Sequence, residues 1–489
     1  MPYAAPVDHP FDRYAAFTDL AALKEASIRP LRKCVRVNTL KCSVETFKAW
    51  AKEKGWKLTP VPWSREGFFV EREDHATALG RDLRHLLGHF YMQEASSMLP
   101  VSLLDPQPGE AVLDLCAAPG SKTTQMADAM QGRGVIIAND MQEKRLRILC
   151  DALQRTGAAS VVVTRKVGQW FGNHMTERFD RVLCDAPCTA QGTSRKDPTA
   201  LTYCSTASII SAARLQHELL EAAVHAAKVG GRIVYSTCTL TPEENEAVAL
   251  DILNKYCDQL EVVQPPEFAM ENGKWTMENA VEDSLKVQKY LQKEHNDQSS
   301  IIHYPFLRLW PQTYNTEGFF CAVFRKVKRT KEPQHTDLAK RTSAPLPKAK
   351  RVTLQKLMKE QFGTDFLQEG DALVERMQQV LLTTEMADGF PLPVTDYACG
   401  IPFSKMLPDG RFRVTNELVS LRGEMAKKQT MDLSDDQLSL LLSGRDLTCS
   451  GSLKGDTILT FRGISLGLGL AKEGVLLNRL PRWVVKLGS

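Results

Sequence analysis

The stretch Gly231-Arg-Ile-Val-Tyr-Ser-Thr-Cys-Thr-Leu-Thr-Pro-Glu-Glu-Asn245 places a cysteine between an apolar strand pattern and the predicted start of a helix. Thr241 is the predicted N-cap, Pro242 the first helical residue, and Glu244 closes a capping box. In α/β proteins ligands bind at the carboxyl ends of strands, and a nearby helix N-terminus favours a thiolate. A buried cysteine is more often a small core residue, so a functional Cys238 needs support from the rest of the chain.

Around this stretch, short apolar segments alternate with helical patterns from about residue 106, such as Thr123–Met130 and Gln142–Thr156. This alternation predicts an α/β fold with a parallel, doubly wound sheet and right-handed crossovers. The predicted strands are Ala111–Cys116, Gly134–Asn139, Ser160–Thr164, Asp180–Cys184, Gly231–Ser236 and Gly318–Arg325, of which the last could run antiparallel.

The N-terminal region has a different pattern. Residues 1 to about 33 have loosely helical spacing of apolar side chains. A strand at Cys34–Asn38, a helix at Ser43–Lys54 and strands at Trp56–Val61 and Gly67–Glu71 follow. This β-α-β-β order suggests a small RRM-like α+β subdomain, a common platform for RNA.

The C-terminal third begins with a Pro-containing stretch of linker composition at residues 328–350. Residues 351 to about 380 are predicted to be helical. From residue 390 onward, short strands broken by turns at 408–410 and 453–456 predict a small β-rich domain. The predicted divisions are 1–105 for the N-terminal region, 106–327 for the α/β domain, 328–350 for the linker and 351–489 for the C-terminal domain.

Composition and charge exclude several classes of protein. The 489 residues are 43% hydrophobic and 25% charged, without an N-terminal signal pattern or a membrane-length apolar run, which predicts a cytoplasmic protein without a membrane partner. Twelve cysteines without a C-x-x-C pair argue against a disulfide framework or a zinc site and favour a reducing compartment. Between Arg325 and Arg351 there are ten Lys or Arg and two acids, as expected of a phosphate-binding surface or of a basic linker.

The first strand of the sheet runs into Asp114-Leu-Cys-Ala-Ala-Pro-Gly-Ser-Lys-Thr123, a tight turn that opens a helix. Such a turn is typical of a nucleotide-type site, but it has neither the G-x-G-x-x-G nor the P-loop spacing. Asp140, at the end of the second strand, could bind a ribose. S-adenosylmethionine has a ribose and no phosphate, so it suits this pair of features. A structural turn with a solvated Asp140 is the alternative.

A second cysteine follows the fourth strand in Asp185-Ala-Pro-Cys-Thr-Ala-Gln-Gly192. The fourth and fifth strands of a doubly wound sheet are neighbours, so Cys188 and Cys238 should face one pocket. The spacing of the two cysteines favours neither a pair of metal ligands nor a redox-active C-x-x-C pair. If a methyl donor is bound nearby, a thiolate can add to carbon 6 of cytosine, and carbon 5 then becomes nucleophilic toward the methyl group. A second group can assist release of the methylated base from the cysteine.

Six motifs occur together over residues 36 to about 326. They are RVNTLK at 36–41, GHFYMQEASSMLP at 88–100, DLCAAPGSKT at 114–123, DAPC at 185–188, STCTLTPEEN at 236–245 and TEGFF at 316–320. Together they resemble the nucleolar-protein/Sun family of RNA 5-methylcytosine methyltransferases, which implies a Rossmann-like class I methyltransferase sheet. The tail from Arg462 to Arg482 is similar to the PUA-like module of bacterial small-subunit rRNA enzymes, although related tRNA enzymes carry such modules too.

The resemblance also implies roles for individual residues. Cys238 would be the nucleophile and Cys188 would help to release the methylated base, with Asp185 near the cytosine edge and Arg195 with Lys196 near RNA or ordering the active-site loop. The implied S-adenosylmethionine contacts are Cys116, Ala117, Ala118, Pro119, Gly120, Ser121, Lys122, Asp140, Arg145 and Asp185, without a metal.

The chain departs from the family pattern at two positions. Val167 stands where an acid usually contacts the adenine end, and Gln312 where a histidine commonly follows the proline. The expected partner is structured RNA, with small-subunit rRNA favoured over tRNA, and the protein is expected to be a monomer. The alternatives are a non-catalytic ribosome-assembly factor, which Val167 favours, and an exocyclic-amine methyltransferase, which Cys188 disfavours.

Overall fold

The structure, a computed structural model, describes residues 9–73, 78–270, 273–294, 303–334, 336–407 and 411–485. The helices and strands named below all lie within these ranges. No helix in this part of the chain is both long and apolar enough to cross a membrane.

The N-terminal region forms a four-stranded antiparallel sheet of order β2-β3-β1-β4. The RRM-like prediction is confirmed, and the structure adds β4, which the sequence reading missed. The side chains of α2 pack on the sheet through an aromatic cluster that includes Phe47 and Trp50. The elements are α1 Leu20–Ile28, β1 Cys34–Val37, α2 Val44–Glu53, β2 Lys57–Val61, β3 Ser64–Glu71, α3 Leu83–Leu86 and β4 Phe90–Met92.

The prediction of a helical segment over residues 1 to about 33 is wrong in its extent. Only a short 3-10 turn at Asp12–Tyr14 and α1 are helical, and residues 1–8 lie outside the described residues. Pro30 disfavours the helical conformation of Arg29, which explains why α1 ends at Ile28.

The central domain is built on one mixed sheet of order β10-β14-β9-β8-β5-β6-β7-β18, with β13 beside β14. Strands β5 to β9 pair in parallel, and β14 is antiparallel to β9. All six predicted strands are present, so the α/β prediction is confirmed. The strands are β5 Ala111–Asp114, β6 Val135–Asn139, β7 Val161–Thr164, β8 Phe179–Asp185, β9 Ala227–Thr237, β10 Leu260–Val262, β13 Leu307–Leu309 and β14 Phe319–Lys326, and a separate hairpin joins β11 Phe268–Met270 to β12 Gly273–Trp275.

Helices cover both faces of the sheet, and each face has its own apolar core. Leu146 and Leu149 of α6 belong to one core, and Leu219 and Leu220 of α8 belong to the other. The helices are α4 Ala95–Leu104, α5 Ser121–Ala129, α6 Glu143–Thr156, α7 Gln169–His174, α8 Thr206–Ala226, α9 Glu246–Lys255, α10 Glu278–Glu294 and α11 Pro311–Tyr314.

The helix after Cys238 begins later than predicted. Asn245 is the N-cap residue of α9, and residues 242–245 form a turn instead of the predicted capping box. Glu244 is fully buried and accepts hydrogen bonds from side chains of other segments, so it does not cap the helix.

The C-terminal third contains two five-stranded sheets instead of one small β-rich unit, and the helix predicted at 351–380 ends at Phe362. The first sheet has the order β15-β16-β17-β19-β20 and takes β15 from the predicted linker. The second has the order β21-β23-β24-β25-β22. The elements are β15 Ala344–Pro345, α12 Lys348–Phe362, β16 Asp371–Arg376, β17 Gln379–Thr384, α13 Glu385–Gly389, β18 Ala398–Cys399, β19 Ile401–Met406, β20 Phe412–Val414, α14 Asn416–Arg422, β21 Thr430–Asp432, α15 Asp435–Leu442, β22 Leu447–Thr448, β23 Gly455–Phe461, β24 Ile464–Lys472, β25 Val475–Asn478 and α16 Arg482–Val485.

The C-terminal third also extends the central sheet, because β18 pairs with the edge strand β7. The turn predicted at 408–410 lies outside the described residues. The domain limits near residues 105, 327 and 350 stay predictions.

Three basic residues of the segment 325–351 bind to other parts of the chain. The Nζ atom of Lys326 donates to the carbonyl oxygen of Ala227 at 2.9 Å, and Arg329 pairs with Glu177 at 3.1 Å. Arg341 pairs with Asp396 at 3.2 Å. These three cations are therefore engaged within the chain, which weakens the interpretation of the whole segment as a phosphate-binding surface.

Candidate active site

Cys188 and Cys238 lie together at the carboxyl ends of two adjacent parallel strands. Strands β8 and β9 are paired so that Asp185 is opposite Ser236, and each cysteine follows its strand in a short loop. The two Sγ atoms are 3.4 Å apart, both as free thiols that are partly exposed. The sequence predicted a shared pocket, and the structure brings these two residues together.

Backbone contacts fix the spacing of the two loops. The N–H of Gly192 donates to the carbonyl oxygen of Cys238 at 3.0 Å, and the N–H of Gly318 donates to that of Gly192 at 2.9 Å. A Cβ atom at Gly192 would lie 2.6 Å from the oxygen of Cys238. Only glycine therefore allows the Cys188 loop to approach the Cys238 loop this closely.

An ion pair lies next to the cysteines. Lys122 Nζ is 2.7 Å from Asp185 Oδ2, and Ser236 Oγ donates to Asp185 Oδ1 at 2.7 Å. Lys122 also donates to Ser97 Oγ at 3.1 Å and lies 5.4 Å from the ring centre of Phe319. Both oxygens of the Asp185 carboxylate are thus held in a fixed orientation.

The two thiols have different electrostatic surroundings. The hydrogen bond with Cys238, burial and the negative charge of Glu244 raise the pKa of Cys188 well above its usual value. Burial alone would lower the pKa of Lys122, but Asp185 and then Cys238 raise it. Cys238 thus lies within the electrostatic influence of the Lys122 ammonium, and Cys188 within that of the Glu244 carboxylate.

Gly120 lets the turn between β5 and α5 pack closely against α6. Gly120 has a φ of +108°, and a Cβ atom there would lie 2.9 Å from Leu149 Cδ1. Gly120 precedes the nine-residue helix α5, and its carbonyl oxygen accepts from Thr124. The first N–H groups of α5 have no partner within the helix and can bind an anionic group.

The predicted cofactor residues surround this turn. Asp140 is buried, 3.1 Å from Arg145 Nη1, and Arg145 also donates to the carbonyl oxygen of Ala118. The Ala118–Pro119 peptide is cis. Thus Cys116, Ala117, Ala118, Pro119 and Gly120 form one turn after β5, and Ser121 and Lys122 begin α5. Asp140 and Arg145 lie on one side of this turn and Asp185 on the other.

One buried carboxyl group near the turn lacks a complete set of partners. Asp114 Oδ2 accepts from Thr123 Oγ1 at 2.7 Å, while the buried Asp114 Oδ1 has no hydrogen-bond partner. Burial raises the pKa of Asp114 to about 7. An incompletely satisfied carboxyl group beside a helix N-terminus fits a cofactor with an amino-acid moiety, because an ammonium group can donate to it.

Other predicted residues have definite positions. Arg195 donates to the carbonyl oxygens of Arg29, Pro30 and Thr316, as expected of a residue that orders this loop, whereas Lys196 is exposed. Val167 is 50% exposed in the turn after β7. The side-chain amide of Gln312 donates to Thr18 Oγ1 at 2.6 Å, so it joins α11 to the N-terminal segment.

The sequence analysis missed two residues of the site. Arg36 of β1 donates to the carbonyl oxygen of Ser121 at 2.8 Å and to Thr124 Oγ1 at 3.0 Å, and so holds the start of α5. Glu244 was assigned to a helix cap, yet it lies between the cysteine loops. Arg36 lies in the motif RVNTLK, and this motif is the sequence signal that could have identified it as a residue of the site.

Comparison with known proteins agrees with this arrangement. The family model described as 16S rRNA methyltransferase RsmB/F matches residues 101–325. The model for the N-terminal domain of 16S rRNA methyltransferase RsmF matches residues 14–95, and the one for the methyltransferase RsmF PUA domain matches residues 428–486.

Named relatives cover nearly the whole chain. The ribosomal RNA small subunit methyltransferase F of Psychromonas ingrahamii is 35% identical over 468 residues, which are 94% of this chain and 92% of the relative. The protein of the same name from Aliivibrio fischeri is 35% identical over 94% of this chain and 93% of its own length.

Solved structures share the fold. A methyltransferase homolog from Pyrococcus horikoshii is 34% identical with a TM-score of 0.52, and the match covers 64% of this chain and 93% of that one. The NSun6 structure from Pyrococcus horikoshii with SFG is 22% identical with a TM-score of 0.53, over 66% of this chain and 98% of that one, and supports the fold alone.

The family matches give S-adenosylmethionine as the cofactor, and the start of α5 and the unpartnered Asp114 Oδ1 fit it. On the identity and coverage of its relatives, this chain belongs to the family of ribosomal RNA small subunit methyltransferase F.

Proposed function

We propose that this protein transfers a methyl group from S-adenosylmethionine to carbon 5 of a cytosine in small-subunit ribosomal RNA. The observation that carries the proposal is the 3.4 Å approach of Cys188 Sγ and Cys238 Sγ at the ends of β8 and β9. Two reduced thiols beside a cofactor turn suit a reaction in which one cysteine forms an adduct and the other assists its release.

In this proposal Cys238 is the nucleophile. Its thiolate forms a bond to carbon 6 of the ring, and the electron pair of the 5,6 double bond makes carbon 5 nucleophilic. The bound cofactor supplies the methyl group. A water molecule takes the proton from carbon 5, the electron pair of that C–H bond restores the 5,6 double bond, and Cys238 leaves as the thiolate. Cys188 assists this release. Cys238 is among the groups that raise the pKa of the neighbouring Lys122, after Asp185.

Asp185 and Lys122 orient the base. Because Ser236 and Lys122 hold the Asp185 carboxylate, one of its oxygens can accept from the exocyclic amine of cytosine without rotating. A cytosine within a helix cannot reach this position, so the base must leave its stack. A base in a single-stranded loop requires the least energy to do so.

The cofactor is held by the turn after β5. The first N–H groups of α5 would bind its carboxylate, and Asp140 its ribose hydroxyl groups. Val167 carries no acceptor for the adenine amine, so adenine contacts must come from apolar packing and the backbone.

The names of the relatives and the PUA-type match support small-subunit rRNA as the substrate. Binding should weaken steeply with salt, because phosphate neutralisation releases counterions. A cytoplasmic location and a monomeric state stay predictions.

The first prediction tests the two cysteines. With purified small subunits or naked rRNA, Cys238→Ala should reduce methyl transfer by at least about 1000-fold, since the uncatalysed carbon is unreactive. Cys188→Ala should accumulate a covalent protein–RNA adduct, visible as a band of reduced mobility in a denaturing gel. The exposed Cys257 provides a matched control, and Cys257→Ala should behave as wild type.

Normal turnover in Cys238→Ala would contradict the proposal. Mapping 5-methylcytosine in the product then identifies the RNA and the position. Methylation of tRNA but not of rRNA would reassign the substrate, and failure to bind S-adenosylmethionine in calorimetry would favour the non-catalytic assembly factor.

A further inference from the structure

A buried carboxylate connects the two cysteine loops. Glu244 is 0% exposed and lies in the turn between Cys238 and α9. From the Cys188 loop, the backbone N–H of Thr189 donates to Glu244 Oε2 at 3.0 Å, and the Thr189 hydroxyl donates to Oε1. From the Cys238 loop, the hydroxyl groups of Thr241 and Thr239 donate to Oε1 at 2.8 and 3.3 Å.

A third segment completes the set of donors. Gln216 of α8 is fully buried, and its Nε2 donates to Glu244 Oε2 at 2.8 Å and to the carbonyl oxygen of Pro187 at 2.9 Å. Pro187 immediately precedes Cys188. The Glu244 carboxylate and the Gln216 amide therefore hold the Cys188 loop from two sides.

The neighbouring acids of the same motif are neutralised differently. Glu243 pairs with Arg13 at 2.6 Å, and Glu246 is bound by the buried Arg308, whose Nε lies 2.8 Å away. Among the ion pairs of the described residues, none includes Glu244, whose partners are all neutral donors. A buried carboxylate without a cation is costly to desolvate, so the hydrogen bonds to Glu244 must offset that cost.

Glu244 also acts on Cys188 through its charge. The hydrogen bond with Cys238, burial and the charge of Cys238 raise the pKa of Cys188 most, and the negative charge of Glu244 raises it further. A thiol with a raised pKa stays protonated, so it can donate its S–H to a neighbouring thiolate.

We infer that Glu244 is a positioning residue that fixes the spacing of the two cysteine loops and places its negative charge beside Cys188. The inference rests on the proposed function and deepens it, since it assigns the mutual geometry of the two cysteines to one side chain.

The charge is tested by alkylation with iodoacetamide across a pH series, followed by mass spectrometry of the Cys188 and Cys238 peptides. In the wild-type protein Cys188 should react only at a pH above the usual value for a thiol. In Glu244→Gln the pH midpoint for Cys188 should fall by about one unit, which is about tenfold more thiolate at a given pH. Glu243→Gln is the matched control and should leave both midpoints unchanged.

An unchanged Cys188 midpoint in a Glu244→Gln protein that binds S-adenosylmethionine normally would overturn the inference. The alkylation measurement needs no RNA, so its result is valid even if the protein does not methylate cytosine. The proposed function is tested separately by Cys238→Ala.

The spacing is tested with Glu244→Asp, which keeps the charge and shortens the side chain by one methylene. This variant also serves if Glu244→Gln does not fold. We expect kcat to fall by about 100-fold, because a displacement of about 1 Å can cause such a loss. The pH midpoint for alkylation of Cys188 and the affinity for S-adenosylmethionine should both be retained. A wild-type kcat in Glu244→Asp would refute the positioning role.

Discussion

Glu317 is an acid that the active-site proposal does not use, although it lies two residues before Phe319 of the pocket. It is 6% exposed, its Oε1 atom has no hydrogen-bond partner, and its N–H donates to Glu94 Oε1 at 3.2 Å. Burial and the nearby Glu94 raise the pKa of Glu317 to about 7. The folded protein therefore holds a proton at this residue that the unfolded chain releases near pH 4.5.

This shift predicts a pH-dependent effect of Glu317→Gln on stability. A carboxyl group with a raised folded-state pKa favours folding at low pH, and its contribution is lost as the pH rises through about 7. The free energy of unfolding of Glu317→Gln, relative to that of wild type, should therefore increase by up to about 3 kcal/mol between pH 4.5 and 7. Above pH 7 the difference should stay constant. Urea unfolding at several pH values measures this gain, and the exposed Glu282 provides a control as Glu282→Gln. A pH-independent difference would contradict the prediction.

At the scale of elements, the site depends on how closely three short segments approach. Gly192 lies in the 3-10 turn Gln191–Thr193 and bonds to Cys238 on one side and to Gly318, just before β14, on the other. A Cβ atom here would meet the carbonyl oxygen of Gly318 at 2.4 Å, and backbone atoms cannot move aside cheaply.

Gly192→Ala should therefore separate the two cysteine loops. We expect kcat to fall by about 10- to 100-fold, while affinity for S-adenosylmethionine is retained because the turn at Gly120 is untouched. Single-turnover kinetics and calorimetry provide the two readouts. Gly389→Ala is the control, since a Cβ atom there has no neighbour within 4 Å. Equal turnover in both variants would show that the close approach is unimportant.

At the scale of the whole molecule, Lys41 joins three parts of the chain. Its Nζ donates to the carbonyl oxygens of Leu87 and Arg155 at 2.9 and 2.8 Å, and to Ser420 Oγ of α14 at 2.8 Å. Burial, with Arg155 nearby, lowers the pKa of Lys41 to about 7. One side chain thus connects the N-terminal region, the central domain and the C-terminal third.

Lys41→Ala should weaken this connection. It leaves polar acceptors without their donor, at a cost of about 1–3 kcal/mol, and the thermal transition should broaden or split as the parts unfold separately. Differential scanning calorimetry measures both effects. Lys52→Ala, at an exposed position of α2, should leave the transition as in wild type, and an equally sharp transition in Lys41→Ala would refute the connection.

The sequence by itself determined the strand–helix alternation of the central domain and the cofactor turn at Gly120. It also predicted that Cys188 and Cys238 lie at one edge of the sheet. These features are local, because apolar runs, turn residues and the parallel order of strands can be read from neighbouring residues.

Only the tertiary structure decided the remaining features. The role of Glu244 depends on Thr189 and Gln216, which are distant along the chain, so a local reading assigned it to a helix cap. The two C-terminal sheets and the pairing of β18 with β7 likewise depend on contacts between remote segments. Short-range patterns carry no information on such contacts, since the free energy that selects them comes from burial and hydrogen bonding in the folded chain.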